Sequence, residues 1–283
     1  IRLSLVGSEM CIRDSNNRVI LATDGDFNVG ISSTSELVRF IEERRDEGIF
    51  LTVLGFGMGN YKDNRLQELA DRGNGNHAYI DNIMEAKKVL VNEITSTLFT
   101  IAKDVKIQVE FNPAKISSYR LIGYENRKLE DKDFTDDTKD AGEIGAGHTV
   151  TALYEVVPAG KENANEQYDL KYQHTTIKKD ARITDEVLTV RIRYKEPDGR
   201  KSKEFSEALI GKPVKLSKSS NNFRFSAAVA EFSMILNDSE FKGDSNLESV
   251  KNLAKNARGD DPFGYRVEFL TLVDRVKVLK EQN

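Results

Sequence analysis

Cysteine is almost missing from this chain: 283 residues carry one, Cys11. A lone thiol builds neither a disulfide framework nor a thiolate metal site. No apolar stretch approaches the roughly 18 residues needed to cross a bilayer, so no membrane span is expected. There is no basic excess, with 42 Lys and Arg against 46 Asp and Glu and a net charge of −4. Nucleic-acid binders normally carry such an excess or a basic patch, so no nucleic-acid partner is expected. His77, His148 and His174 stand far apart without metal-ligand spacing, and are expected to be structural or exposed. No Ser/His/Asp arrangement is visible. What is present, 39% hydrophobic and 31% charged residues, suits a globular protein long enough for more than one domain.

The first residues stand apart from the rest. Leu5-Val6-Gly7-Ser8-Glu9-Met10-Cys11-Ile12-Arg13-Asp14-Ser15 shows neither strand nor helix period. It back-translates, with permitted codons throughout, to a transposase-type sequencing-library adapter. Residues 1–15 are therefore set aside as non-native. Cys11 goes with them, and a missing leader peptide says nothing about compartment.

Arg18-Val19-Ile20-Leu21-Ala22-Thr23-Asp24-Gly25-Asp26 is the most informative passage. Buried parallel strands read as short continuous apolar runs, and open α/β sheets place ligands beyond the carboxyl ends of such strands. Asp24 falls at that position, with Gly25 free to turn the backbone sharply behind it. A solvated Asp-Gly turn is the plainer reading of the same residues. Helical and strand signals then alternate. Leu37, Val38, Phe40 and Ile41 share a helix that Ser32, Ser33, Thr34 or Ser35 can cap and Gly48 closes. Phe50 to Gly57 reads as a strand, Leu66 to Ala70 as a helix, and Asn76 to Ile80 as a short strand. Ile83 to Ala102 then reads as a helix of about five turns.

The Thr23-Asp24-Gly25 strand end, with the elements after it, resembles the third metal-site motif of von Willebrand factor type A (VWA) domains. More narrowly, the chain resembles a bacterial envelope subfamily in which that domain precedes a C-terminal region of unknown function. Three phrases carry the closer likeness: Ile122-Gly123-Tyr124-Glu125-Asn126-Arg127, Asp140-Ala141-Gly142-Glu143-Ile144-Gly145-Ala146-Gly147-His148, and Tyr265-Arg266-Val267-Glu268-Phe269-Leu270. The implied fold class is α/β, with the C-terminal part of a Rossmann-like, parallel-sheet VWA domain over residues 16–102.

After Lys103 the period becomes two. Val105, Ile107, Val109 and Phe111 alternate with Lys106, Gln108 and Glu110, predicting a half-buried strand. Further strands are expected at 119–124, 149–157, 168–172, 188–194 and 202–209, with a polar connector over 161–167. Together they predict an antiparallel, β-sandwich-like domain over 103–215. A helical region follows over 216–283. Phe225, Ala228, Val229, Phe232, Ile235 and Leu236 form one stripe, and Ser245 with Glu248 fits a capping box. Asp261-Pro262 opens a last helix with Val267, Leu270, Val273, Val276 and Leu279 inward.

The resemblance implies a Mg²⁺ ion held by oxygen ligands from three loops, open to an acidic side chain of a partner protein. Asp24 is the implied metal ligand, and Thr23, Gly25, Asp26, Asn28, Gly55 and Gly57 the ligand-binding face. The first of those loops, Asp-x-Ser-x-Ser, is absent from residues 16–283. Weak or no binding of the ion is therefore expected of this chain, and Val19–Leu21 is expected to form an exposed apolar edge. The implied function is metal-dependent protein binding in the cell envelope, periplasmic or associated with the outer membrane, without catalysis. The alternative is a Mg²⁺-dependent phosphatase of haloacid-dehalogenase type, with Asp24 as nucleophile, Asp26 as acid and Asp136-Asp137 as the later acidic motif.

Other patterns are weaker. Gly55-x-Gly57-x-Gly59 lacks the Lys-Ser/Thr of a phosphate loop. Asp131, Asp133, Asp136, Asp137, Asp140 and Glu143 lack the spacing of a calcium hand and predict a solvated loop.

Overall fold

The computed structural model describes residues 17–24, 33–57, 63–124, 128–139, 141–160, 176–197 and 199–282. The expectations placed on residues 1–15, Gly25, Asp26, Asn28, Ser32, Gly59, Glu125–Arg127, Asp140, 161–172 and His174 lie outside them. The chain divides into two compact units, 1–108 with 130–149 and 191–206, and 109–129 with 150–190 and 207–283.

The first unit opens with β1 (Asn17–Thr23), α1 (Thr34–Asp46), β2 (Ile49–Gly55), α2 (Asp63–Arg72) and β3 (His77–Tyr79). Three parallel strands lie in the order β1-β2-β3, in a register pairing Ile20 with Thr52, Thr23 with Gly55, and Gly55 with Tyr79. Ser33 caps α1, its hydroxyl accepting from the Glu36 N–H, and Gly48 follows the helix at φ +87°. Of the expected α1 stripe, Ile41 is buried, whereas Phe40 is exposed beneath the Arg44 guanidinium.

Helices cover both faces of β2, which is why its second half is wholly buried. On one side Val53 and Leu51 meet Ile41 of α1 and Leu66, Leu69 and Ala70 of α2. Burying a leucine side chain contributes about 1.5–3 kcal/mol, and Leu66 and Leu69 are both fully buried. On the other side Leu54 packs with Ile80, Ala86 and Val89. β1 is less covered. Among the described residues it ends the sheet, with Val19 49% and Ile20 41% exposed and Leu21 half-buried, so two of the three residues expected at an apolar edge lie open.

The helix expected over 83–102 is interrupted. It runs as α3 (Ile83–Lys87), a π turn (Lys88–Asn92) and α4 (Ile94–Leu98), and the chain is already extended at Thr100. The Ser96 and Thr97 hydroxyls both donate to the Glu93 carbonyl, a local competition that weakens helix continuation. The β-branched Thr100 and Ile101 then favour strand.

β4 (Thr100–Phe111), β5 (Ile116–Ile122), β6 (Gly142–Gly145), β7 (Leu153–Pro158), α5 (Lys179–Ile183), β8 (Glu186–Lys195) and β9 (Lys203–Ile210) follow. Four strands form a sheet in the order β6-β4-β8-β9, with β6 antiparallel to β4, and β5 pairs antiparallel with β7. Strand β6 was not expected from the sequence, and the strand ends at 116, 153 and 186 differ by a few residues from those anticipated. In β4 the alternation is inverted near its centre: Lys106 is 3% exposed and Ile107 49%. Register breaks on both sides of Ala102 and the positive φ of Asp104 (+52°) mark the irregularity, since a bulge changes which side chains face the cover.

The helical part of the second unit comprises α6 (Asn221–Leu236), α7 (Leu247–Asn256) and α8 (Tyr265–Glu281). Phe232 and Ile235 of α6, Val250 of α7, and Phe269, Val273 and Val276 of α8 form its core. The expected stripes are narrower than their sequence pattern: Val229 and Leu236 of α6, and Val267 and Leu279 of α8, are exposed. The capping box lies one residue further on than expected, with Asn246 as cap and the Ser249 hydroxyl as reciprocal acceptor. Asp261 opens α8 by accepting from the Arg266 and Val267 N–H groups.

Candidate functional site

The carboxyl edge of the parallel sheet gathers four of the anticipated residues. Thr23 ends β1 and its carbonyl accepts from the Phe56 N–H at 2.8 Å. The next residue, Asp24, is exposed. Gly55 ends β2, buried, with its carbonyl accepting from the Ile80 N–H at 2.8 Å. Gly57 turns at φ +96°, and a Cβ built on it would lie 3.7 Å from the Asp24 Cβ. A positive φ favours glycine here, and glycine also keeps this turn slim beside the carboxylate.

The sequence reading missed Tyr79. Its hydroxyl donates to the Gly57 carbonyl at 2.6 Å, tying the end of β3 to the turn beside Asp24. An aromatic residue ending a short strand was the available signal.

Mg²⁺ demands close to six oxygens in octahedral geometry. Among the described residues, no three Asp, Glu, His or Cys side chains come together to hold a metal ion. Asp24 supplies one carboxylate, and the Gly57 carbonyl beside it is already engaged by Tyr79. The described residues alone do not fit the ion.

A second polar cluster was also missed. The Arg18 guanidinium donates to Thr52 Oγ1 at 2.9 Å and Thr100 Oγ1 at 3.3 Å, and lies over the Phe50 ring. Burial lowers its pKa, and the Glu143 carboxylate opposes that shift.

The acidic loop is anchored rather than merely solvated. The Lys106 ammonium donates to the Asp133 carbonyl at 2.9 Å and to the Asp136 carbonyl. Asp137 Oδ1 accepts from the Ser202 hydroxyl at 2.6 Å and from Arg193 at 2.8 Å. Those hydrogen bonds, Ser202's first, hold the Asp137 carboxyl at a pKa of about 2. Lys195 joins Asp104, at 2.6 Å, to the Asp137 carbonyl, at 2.9 Å. Asp136 accepts from the Thr138 hydroxyl at 2.7 Å. Asp136 and Asp137, the later acidic motif of the phosphatase alternative, are thus engaged in holding their own loop. Of the histidines, His77 lies 3.7 Å from Asp63, and His148 is exposed.

A parallel sheet with helices on both faces, and an acidic residue beyond the carboxyl end of β1, defines an open α/β arrangement. The family described as "Uncharacterized protein YfbK, C-terminal" matches residues 96–279, more than half of the chain, and the chain belongs to that family. It is 40% identical over 263 residues to "Uncharacterized protein YfbK" of Escherichia coli (strain K12), across 93% of this chain and 45% of that protein. The chain therefore spans less than half the length of this curated relative. Among solved structures it is similar to a von Willebrand factor type A protein from Catenulispora acidiphila, with TM-score 0.34, 14% identity, and coverage of 89% of this chain and 57% of that one. It is also similar to the human COPII-coat protein Sec24c, with TM-score 0.34, 9% identity, and coverage of 85% and 32%.

Proposed function

We propose that this chain is part of a protein-binding module of the bacterial cell envelope, with the carboxyl edge of the parallel sheet as its binding face. The observation that carries the reading is the exposed Asp24 beside the Gly57 turn, which Tyr79 holds in place. Open α/β sheets recognise ligands at this edge. Nothing in such an arrangement requires a bond to be broken, so the proposed role is adhesion or scaffolding rather than catalysis.

The proposal extends to Mg²⁺ and to a partner presenting an acidic residue, both in the longer protein, because donors beyond Asp24 have to come from outside the described residues. Manganese binding, followed by electron paramagnetic resonance, tests it on three proteins: this chain, the product of the full reading frame, and that product with Asp24→Ala. Saturable binding by the full product, weakened at least tenfold by Asp24→Ala and absent from this chain, is expected. Binding indifferent to Asp24, or none by the full product, overturns the metal-dependent reading. Turnover of p-nitrophenyl phosphate that Asp24→Asn abolishes overturns the non-catalytic one. Fractionation of cells producing the full product tests the compartment.

A further inference from the structure

The stretch between Glu207 and Glu231 contains no acidic residue, but it does contain Lys212, Lys215, Lys218 and Arg224, in a chain whose net charge is −4. Its first half is also apolar and uncovered: Ile210 is 64% exposed, Val214 68% and Leu216 47%. The segment has a fixed shape. The Lys218 N–H donates to the Lys215 carbonyl at 2.8 Å, and the Ser219 N–H to the Leu216 carbonyl at 3.1 Å. The Arg224 guanidinium donates to the Ser217 carbonyl at 3.0 Å, so the arginine braces the turn. Among the described residues, Lys212, Lys215 and Lys218 enter no ion pair.

We propose that residues 210–218 form a docking surface for an anionic lipid surface. Charge complementarity selects the occupant: three lysines without acidic neighbours in sequence attract a negative surface, each strengthening attachment about fivefold near anionic lipid. Aliphatic side chains interleaved with them suit the boundary between headgroups and acyl chains. Lysine stems can lie along apolar surface while the ammonium stays at headgroup level. Two features disfavour other polyanions. The exposed apolar residues over 210–218 are aliphatic, whereas nucleic-acid platforms stack bases on aromatic rings. The free cations are lysines, point charges suited to a diffuse field, whereas bidentate recognition of a carboxylate calls for arginine.

Co-sedimentation of the whole chain with phosphatidylcholine vesicles, with and without phosphatidylglycerol, tests the proposal. Binding only to the anionic vesicles and falling with added salt is expected. Replacing the three lysines with Gln should weaken it roughly a hundredfold. Val214→Asn with Leu216→Asn should also weaken it, on the same vesicles. All five positions are exposed, and unchanged circular dichroism checks that each variant is folded. Equal binding to the neutral vesicles, no binding to either, or full binding by either variant overturns the proposal. Tighter binding to polyglutamate or duplex DNA than to the vesicles also overturns it and reassigns the surface to an acidic macromolecule.

Discussion

The Lys106 ammonium donates to the Asp133 carbonyl at 2.9 Å from a strand position where the lysine is only 3% exposed. The Asp136 carbonyl takes a second of its three protons. A buried cation is costly unless acceptors meet it, and here two of its three protons meet carbonyls of the acidic loop. Lys106→Met should therefore leave the two carbonyls with only their long backbone partners, the Asp136 and Lys139 N–H groups at 3.3 Å, and loosen residues 130–139. A hydrogen bond to a charged group contributes about 1.5–3 kcal/mol, and relief of the buried charge offsets part of the two that are lost, so a loss of roughly 2–4 kcal/mol in urea unfolding is expected. A loss below about 0.5 kcal/mol, the range of ordinary surface changes, would show that the loop does not depend on this lysine.

Asp137 sets an acid limit on the same loop. Its carboxyl is held at a pKa of about 2 against an ordinary 3.8, by Ser202 first and then Arg193. The folded state therefore binds this proton less readily than the unfolded chain. The stabilisation is present above about pH 4 and is lost as the pH falls through 2. Urea midpoints measured from pH 5 down to 2 should fall more steeply in the parent chain than in Asp137→Asn. Parallel profiles would remove Asp137 from the acid response.

Much of the parallel sheet was readable because its signals are local. An apolar run ending at Asp24, a serine before α1 and Gly48 after it each report on their own few residues. The carboxyl edge was readable for the same reason, through Thr23, Asp24, Gly55 and Gly57. What escaped depends on partners far apart in sequence. Arg18 reaches Thr52 and Thr100 across separations of 34 and 82 residues, and Lys106 reaches Asp133 across 27. Neither pairing leaves a periodic trace. The inversion in β4 was hidden likewise, because alternation in sequence predicts one face only while the strand stays regular, and Asp104 interrupts it.

Two glycines are fixed by close approach rather than by backbone angle. A Cβ at Gly75 would lie 1.7 Å from the Leu51 carbonyl oxygen, and one at Gly145 would lie 1.6 Å from that of Ser96. Both obstacles are backbone atoms, so alanine at either position must displace a strand or helix. A loss of about 3 kcal/mol is expected for each, at the upper end of ordinary overpacking. Gly142→Ala is the control, since nothing lies within 4 Å of its added carbon, and its unfolding midpoint should barely move. Gly75→Ala and Gly145→Ala variants as stable as that control would show that these approaches are not tight in solution.

The one-residue difference at the start of α7 gives a sharp test of capping. The Asn246 side chain accepts from the Glu248 N–H at 3.1 Å and the Ser249 N–H at 3.0 Å, and the Ser249 hydroxyl accepts from the Asn246 N–H at 3.1 Å. Ser245, the cap expected from the sequence, precedes this arrangement. Losing a cap side chain costs about 1 kcal/mol, so Asn246→Ala should destabilise the second unit by that amount. Ser249→Ala should also destabilise it, because it removes the reciprocal bond together with the hydroxyl's bonds to the Asn246 carbonyl and the Glu231 carboxylate, while the Asn246 side-chain cap stays. Ser245→Ala should be neutral. The reverse order, with Ser245→Ala the costlier change, would place the helix start one residue earlier and return the cap to the position read from the sequence.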